Sequence, residues 1–190
     1  KKEDLSSEEL EMIKENLTVQ ASISPKYADV SGSFPVFGEN ANKIYVPRYW
    51  GIEHFGKPKK DKLFGKKTIG DSINVKFKGS IRPSQEPVAN AYLDKVKNNE
   101  GGIITLQCGG GKTVTTLYLI SQIKKKTLVV VHKTFLMNQW KERIEEFLPT
   151  AKIGYLQGSI VDIYKKDVVI GMLQSISMKD YPKNLFEDFG

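Results

Sequence analysis

A single cysteine, Cys108, occurs in the 190 residues. No internal disulfide is therefore possible, and a reducing compartment inside the cell is expected. The two histidines, His54 and His132, lie far apart, and with one thiol they make no recognisable metal-ligand spacing. No apolar run approaches the length of a membrane span, and no signal-peptide pattern opens the chain, so no membrane association is expected. Internal repeats and low-complexity tracts are also missing. Acidic residues are in the minority, 22 against 29 Lys and Arg, which leaves a net charge of +7 and a pI near 9.3. That balance favours an acidic partner, most often nucleic acid. The chain opens on Lys1 rather than Met, which suggests a fragment or a processed product.

What is present falls into two parts. "DLSSEELEMIKENLT" has the spacing of a capping box, Ser6 toward Glu9, followed by Leu10, Ile13 and Leu17 on one helical face. Residues 18–50 hold prolines, glycines and short β-prone runs such as "KIYVPRYW", and predict a small β-rich or irregular module. Its aromatics Tyr45, Tyr49 and Trp50 are expected to fill a small core, with base stacking as the alternative. The lysine-rich run "FGKPKKDKLFGKK", residues 55–67, reads as a connector or hairpin tip, either a solvated surface or a phosphate contact. "INVKF" is expected to be a strand that closes this module.

From residue 80 onward the pattern is regular. "RPSQEPVANAYLDKVKNN" predicts a helix with Pro83 in its first turn. "GGIITL" predicts a strand, "KTVTTLYLISQIKK" a buried helix, and "TLVVVH" a strand covered on both faces. "TFLMNQWKERIEEFL" predicts an amphipathic helix with Leu136, Trp140, Ile144 and Leu148 in register, and "KIGYL" and "KDVVIGM" two more strands. Strands alternating with helices argue for a parallel sheet with helices on both faces.

"LQCGGGKT", residues 106–113, carries the chemistry. A loop between strand and helix that ends in Gly-Lys-Thr cradles nucleotide phosphates with backbone N–H groups, aided by the positive end of the helix. Gly109, Gly110 and Gly111 allow backbone conformations and close approach that a Cβ forbids. Lys112 is expected to reach the β- and γ-phosphate oxygens, and the Thr113 hydroxyl to ligate Mg²⁺. The competing reading is a glycine-rich turn before a helix. Leu106 stands where the strict pattern has glycine. Cys108 has no histidine near it in sequence and is read as a small loop residue rather than a nucleophile.

The same stretch resembles motif I of superfamily 2 helicases of the XPB-like group, typically Leu-Pro-Cys-Gly-x-Gly-Lys-Thr. There the leading residue is often not glycine, and only Gln107 departs, in the place of Pro. "IRPSQ" resembles the group's Arg-Pro-x-Gln element. "LVVVHKTFLMNQW" is similar to motif Ia, with Leu136, Gln139 and Trp140 matching and His132 and Lys133 replacing Pro and Thr. "DVVIGMLQSIS" is similar to the Thr-x-Gln-Ser-Leu segment, with Gln174 and Ser175 matching and Gly171 in place of Thr. "FPVFGENANKIYVPRYWGIEHFG" resembles the leader of poxvirus-type and giant-virus helicases of this group.

The resemblance implies an α/β fold: a RecA-like parallel sheet, here an incomplete first lobe over 79–190, after a small mixed α/β or β-rich module over 1–78. It implies ATP and Mg²⁺ as cofactors, with Arg82 and Gln85 at the adenine and Gln107, Cys108, Gly109, Gly110, Gly111, Lys112 and Thr113 at the phosphates. It implies DNA as partner, with RNA or a transcription complex as alternatives, and strand contacts from Lys133, Thr134, Gln174 and Ser175. A viral source would place the work in the nucleus, viral factory or virion. The Asp-Glu pair of motif II and the second lobe, needed in cis, are expected beyond Gly190, since Glu187 and Asp188 follow no apolar strand. These residues alone are therefore expected to be inactive as an ATPase. The implied activity is that of a DNA helicase or translocase. A restriction-type motor subunit and a non-catalytic nucleic-acid-binding module are the alternatives.

Overall fold

The computed structural model describes residues 1–20, 32–59, 70–97, 101–182 and 184–190. The chain divides into two compact units, Lys1–Asp61 and Lys62–Gly190. This division at 61/62 differs from the expected boundary at 78/79. Residues 71–78 alternate, and Ile73 and Val75 point into the core of the second unit, with Phe77 packed against it. The segment is tied there by Ile73 N–H donating to Lys124 O at 3.0 Å and Lys78 N–H to Phe147 O at 2.8 Å. "INVKF" forms no strand; a single bridge joins Ser72, just before it, to Lys125.

In the first unit, α1 (Ser7–Asn16) begins with the expected capping box. The Glu9 N–H donates to Ser6 Oγ at 3.1 Å, and the Ser6 N–H donates to Glu9 Oε2 at 2.8 Å. Ile13 and Leu17 are buried one turn apart. Two short antiparallel pairs follow, β1 (Thr18–Gln20) with β2 (Ser33–Pro35), and β3 (Gly38–Glu39) with β4 (Ile44–Tyr45). Then comes a helix that sequence patterning missed, α2 (Arg48–Phe55), which starts after Pro47 and buries none of its residues fully. Without a buried stripe there was no periodic signal to find. Tyr45 and Tyr49 are 55% and 54% exposed, so they do not fill a core, while Trp50 stacks on His54 at 4.0 Å. The part of the lysine-rich connector at 60–67 lies outside the described residues.

Glu39 bonds Lys2 Nζ at 2.8 Å and Lys14 Nζ at 3.6 Å, which joins β3 to the N-terminal segment. The Lys2 hydrogen bond, with help from Lys14, holds the Glu39 carboxyl below its ordinary 4.5. A depressed carboxylate contributes stability that is complete above the unfolded value and disappears as pH falls through the folded one. Below about pH 4.5 the first unit should lose this contribution. Glu39→Gln is expected to flatten that part of the acid limb in a pH series of urea unfolding, and an unchanged limb would refute the assignment.

The second unit holds α3 (Glu86–Lys97), α4 (Lys112–Ile123), β5 (Thr127–Val131), α5 (Thr134–Phe147), β6 (Ile153–Gln157), β7 (Ile160–Asp162), β8 (Val168–Met172) and α6 (Leu173–Met178). Its sheet runs β5-β8-β6-β7, parallel except for β7, which pairs antiparallel with β6. Val129 and Val131 of β5 and Val168, Ile170 and Met172 of β8 share one face. They pack with Leu117 and Ile120 of α4 and Met137 and Ile144 of α5. On the opposite face Ile176 of α6 lies over Gly171, so helices lie on both sides. Coverage is uneven, however: Val130 remains 48% exposed, which corrects the expectation of a doubly covered β5. Among the described residues no helix is long and apolar enough to cross a membrane.

Residues 101–106 depart most from expectation. They lie in no strand, and Ile103 is 95% exposed. A strand exists only through its hydrogen-bonded neighbours, and none of the described residues pairs with this stretch in a ladder. The glycine-rich loop therefore takes its position from the helices on either side.

Candidate functional site

The loop closes onto α4 through glycine conformations. Gly109 and Gly111 adopt φ of 75° and 80°, the left-handed region that other residues occupy only at a cost. Gly110 is needed for a different reason: a Cβ there would lie 2.9 Å from Gln107 O. Gly111 stands at the N-cap of α4, and no side chain caps it. The first N–H groups of a helix have no partners within it, so they remain available to an anion at the positive end of the helix dipole.

Lys112 is exposed, and its ammonium group curls back to donate to the carbonyls of Leu106 and, at 3.1 Å, Gln107. An ammonium held only by neutral carbonyls makes stronger, charge-assisted bonds when an anion arrives. Thr113 is half-buried beside it, and Cys108 is exposed at the rim. A loop without Cβ atoms, an uncapped helix start and a nearby cation together fit a polyphosphate. Among the described residues no cluster of three or more His, Cys, Asp or Glu is arranged to hold a metal.

Beneath the loop, Gln85 is 2% exposed. Its Oε1 accepts from Arg82 N–H at 2.7 Å. Its Nε2 donates to Thr115 Oγ1 at 2.9 Å and faces Gly111 O and Gly110 O at 3.1 and 3.2 Å. The amide orientation follows from its neighbours, since carbonyls only accept and the Arg82 N–H only donates. Thr115 is fully buried, and its hydroxyl donates a hydrogen bond to Gly111 O at 3.1 Å. The Arg82 guanidinium reaches Gly109 O at 3.4 Å. Sequence reading overlooked Thr115. Its signal was a hydroxyl placed four residues after Gly111, where Ser and Thr bond back along a helix.

A second group gathers at the carboxyl ends of β5 and β8. Val131 pairs with Met172, so the residues that follow each strand emerge side by side. Gln174 Nε2 donates to His132 O at 3.0 Å, beside Lys133 and Thr134. Ser175 Oγ accepts from Gly158 N–H at 2.9 Å, and Lys179 Nζ donates to Gly158 O. Lys133, Thr134 and Gln174 are exposed, and Lys133 Nζ lies 5.9 Å from the Phe135 ring centre. The structure thus brings all four expected strand-contact residues to one end of the sheet. Gly171, where the resemblance has Thr, is buried with Ile176 Cδ1 2.7 Å from where a Cβ would stand, so α6 fills the space a larger side chain needs.

Residues 78–189 match the family model described as type III restriction enzyme, res subunit. A putative ATP-dependent RNA helicase, L396, of Acanthamoeba polyphaga mimivirus is 34% identical over 190 residues, covering 98% of this chain and 36% of that protein. The DNA 3'-5' translocase XPB2 of Sulfurisphaera tokodaii is 39% identical over 74 residues, 39% of this chain and 16% of that protein. The chain thus spans little more than a third of the length of the mimivirus relative. In fold it is similar to the UvsW helicase from bacteriophage T4, with TM-score 0.57 and 18% identity over 98% of this chain and 75% of that one.

Proposed function

The chain belongs to the family described as type III restriction enzyme, res subunit, and from that membership we propose that it is the N-terminal part of an ATP-dependent helicase or translocase acting on DNA. The observation that carries this reading is the Gly109–Thr113 turn, where left-handed glycines, an uncapped helix and the Lys112 ammonium converge. Lys112 and the loop amides would hold the β- and γ-phosphates, and Thr113 would hold Mg²⁺. A bound Mg²⁺ supplies charge neutralisation across the phosphates. Lys112 balances charge as a mobile donor, and the glycines keep side chains clear of the anion.

Nucleic acid would be engaged at the other cluster, through Lys133, Thr134, Gln174 and Ser175. Charge supports an acidic partner for this unit. Residues 62–190 hold 20 Lys and Arg against 12 Asp and Glu, whereas residues 1–61 hold 9 against 10. Turnover and movement are proposed for the whole protein, in a reducing intracellular compartment. The restriction-type motor is supported by the family description, while the named relatives support the helicase reading.

Titration with a fluorescent ATP analogue tests the site. Lys112→Ala is expected to weaken binding about 10- to 100-fold, the range for losing a charge-assisted hydrogen bond. Equal, weak binding by both proteins would favour the non-catalytic binding module instead.

A further inference from the structure

We infer that Lys179 is a further phosphate contact for nucleic acid, extending the strand-contact surface from the ends of β5 and β8 to the end of β6. This rests on the reading of Lys133, Thr134, Gln174 and Ser175 as that surface. The sheet order β5-β8-β6 places α6, which follows β8, between the exits of two neighbouring strands. Its side chains reach both. Gln174 Nε2 donates to His132 O after β5, and Ser175 Oγ accepts from Gly158 N–H after β6. Lys179, at the C-cap of α6, donates through Nζ to Gly158 O. Three strand exits are thus tied into one row, about 10 Å from β5 to β6 at ordinary strand spacing. A lysine stands at each end of it, Lys133 after β5 and Lys179 beside the β6 turn.

The Lys179 ammonium is placed but not neutralised. Lys126, Lys141 and Lys166 of the same unit each meet an acid, whereas Lys179 is exposed and forms no ion pair among the described residues. Asp180 follows it in sequence and is exposed, yet the two are not paired. The carbonyl that Lys179 does hold is neutral, so a phosphate oxygen gives it a stronger, charge-assisted bond. Space for an anion lies beside it, since a Cβ on Gly158 would meet nothing within 4 Å beyond its chain neighbours. Ser175 uses its oxygen on Gly158 and keeps its hydroxyl hydrogen for another acceptor. Ammonium, hydroxyl and amide donors of this kind hold a nucleic-acid backbone without reading its sequence. A lysine that served only to pin the turn would need no charge, and this separates the two roles.

Fluorescence anisotropy with two labelled DNA duplexes of unrelated sequence, followed from about 50 to 200 mM salt, provides the test. Lys179→Ala is expected to weaken both duplexes alike, about three- to tenfold, and to make the slope of log K against log salt shallower by about one. Lys179→Arg, which keeps the charge, should restore affinity and slope. Lys152→Ala removes the same charge from the other end of β6, about 20 Å away along the strand. That distance exceeds the screening length at these salt concentrations, so Lys152→Ala should leave both quantities unchanged. Equal losses in Lys152→Ala and Lys179→Ala would reduce the effect to net charge and overturn the inference. So would an unchanged slope in Lys179→Ala, with faster hydrogen exchange of the Gly158 amide marking Lys179 as a pin for the turn alone. Binding that Lys133→Ala weakens and Lys179→Ala does not would likewise overturn this inference while leaving the strand-contact surface in place. Absence of salt-dependent binding by wild type would remove nucleic acid from this end of the sheet, and the surface and Lys179 would fall together.

Discussion

Truncating Ile144 to alanine is expected to destabilise the second unit by about 2–5 kcal/mol, the range for deleting a buried aliphatic side chain. Ile144 is fully buried in α5, and it belongs to the cluster that includes Leu117, Val168, Ile170 and Leu148. These neighbours come from a helix, a strand and the end of α5, so no single shift closes the hole. The helix itself is pinned at this point, Leu148 N–H donating to Ile144 O at 2.7 Å. Part of the cost is lost transfer energy and part is the cavity that rigid neighbours leave open. Urea unfolding measures it directly, and thermal unfolding should show Tm lower by roughly 10 °C or more. A loss below about 1 kcal/mol would mean that the site collapses freely and that α5 is not fixed to the sheet as described.

Gly111→Ala is expected to reduce tripolyphosphate affinity at least tenfold, roughly 1.4 kcal/mol or more, and by more than Gly109→Ala. Both residues have left-handed φ, so alanine at either costs about 1–3 kcal/mol of backbone strain. The surroundings distinguish them. A Cβ on Gly109 meets open space, whereas one on Gly111 overlaps Gln85 Nε2. Displacing that amide leaves the Gly110 and Gly111 carbonyls and the Thr115 hydroxyl short of a buried partner, a further cost of about 1–3 kcal/mol. Calorimetric titration of the two variants side by side provides the check. Equal losses would show that the overlap with Gln85 has no energetic consequence. A wild-type affinity in Gly111→Ala would remove the loop from the phosphate site.

The glycine-rich turn before α4 was legible because its backbone requirements are local. Three glycines before Lys112 and Thr113 state their own backbone requirements, and α4 follows within one residue. The helices α1 and α5 were legible because their apolar residues recur at helical spacing, with Ser6 and Glu9 marking one start. Strand β8 was legible as an unbroken apolar run, all five of its residues buried. Short elements escaped. The helices α2 and α6 bury none of their residues fully, and β7 is three residues paired only to β6. Residues 101–106 and 71–78 have strand-like composition yet form no ladder of more than one bridge among the described residues. Composition reports what a segment can bury, while pairing depends on what lies next to it.

From the amino-acid order alone came the α/β class, the glycine-rich turn with its lysine, and the two polar groups that follow β5 and β8. Each depends on neighbours within a few positions, where covalent geometry and helical or strand periodicity suffice. Folding in three dimensions decided the remainder. It assigned Ile73 and Val75 to the second core, set Gln174 beside His132, and buried the Gln85 amide under Gly110 and Gly111. The hydrogen-bonded partners among them stand 25 to 42 residues apart in the chain. No local preference reaches that far, so only the packed fold, by burying donors and acceptors together, determines which of them meet.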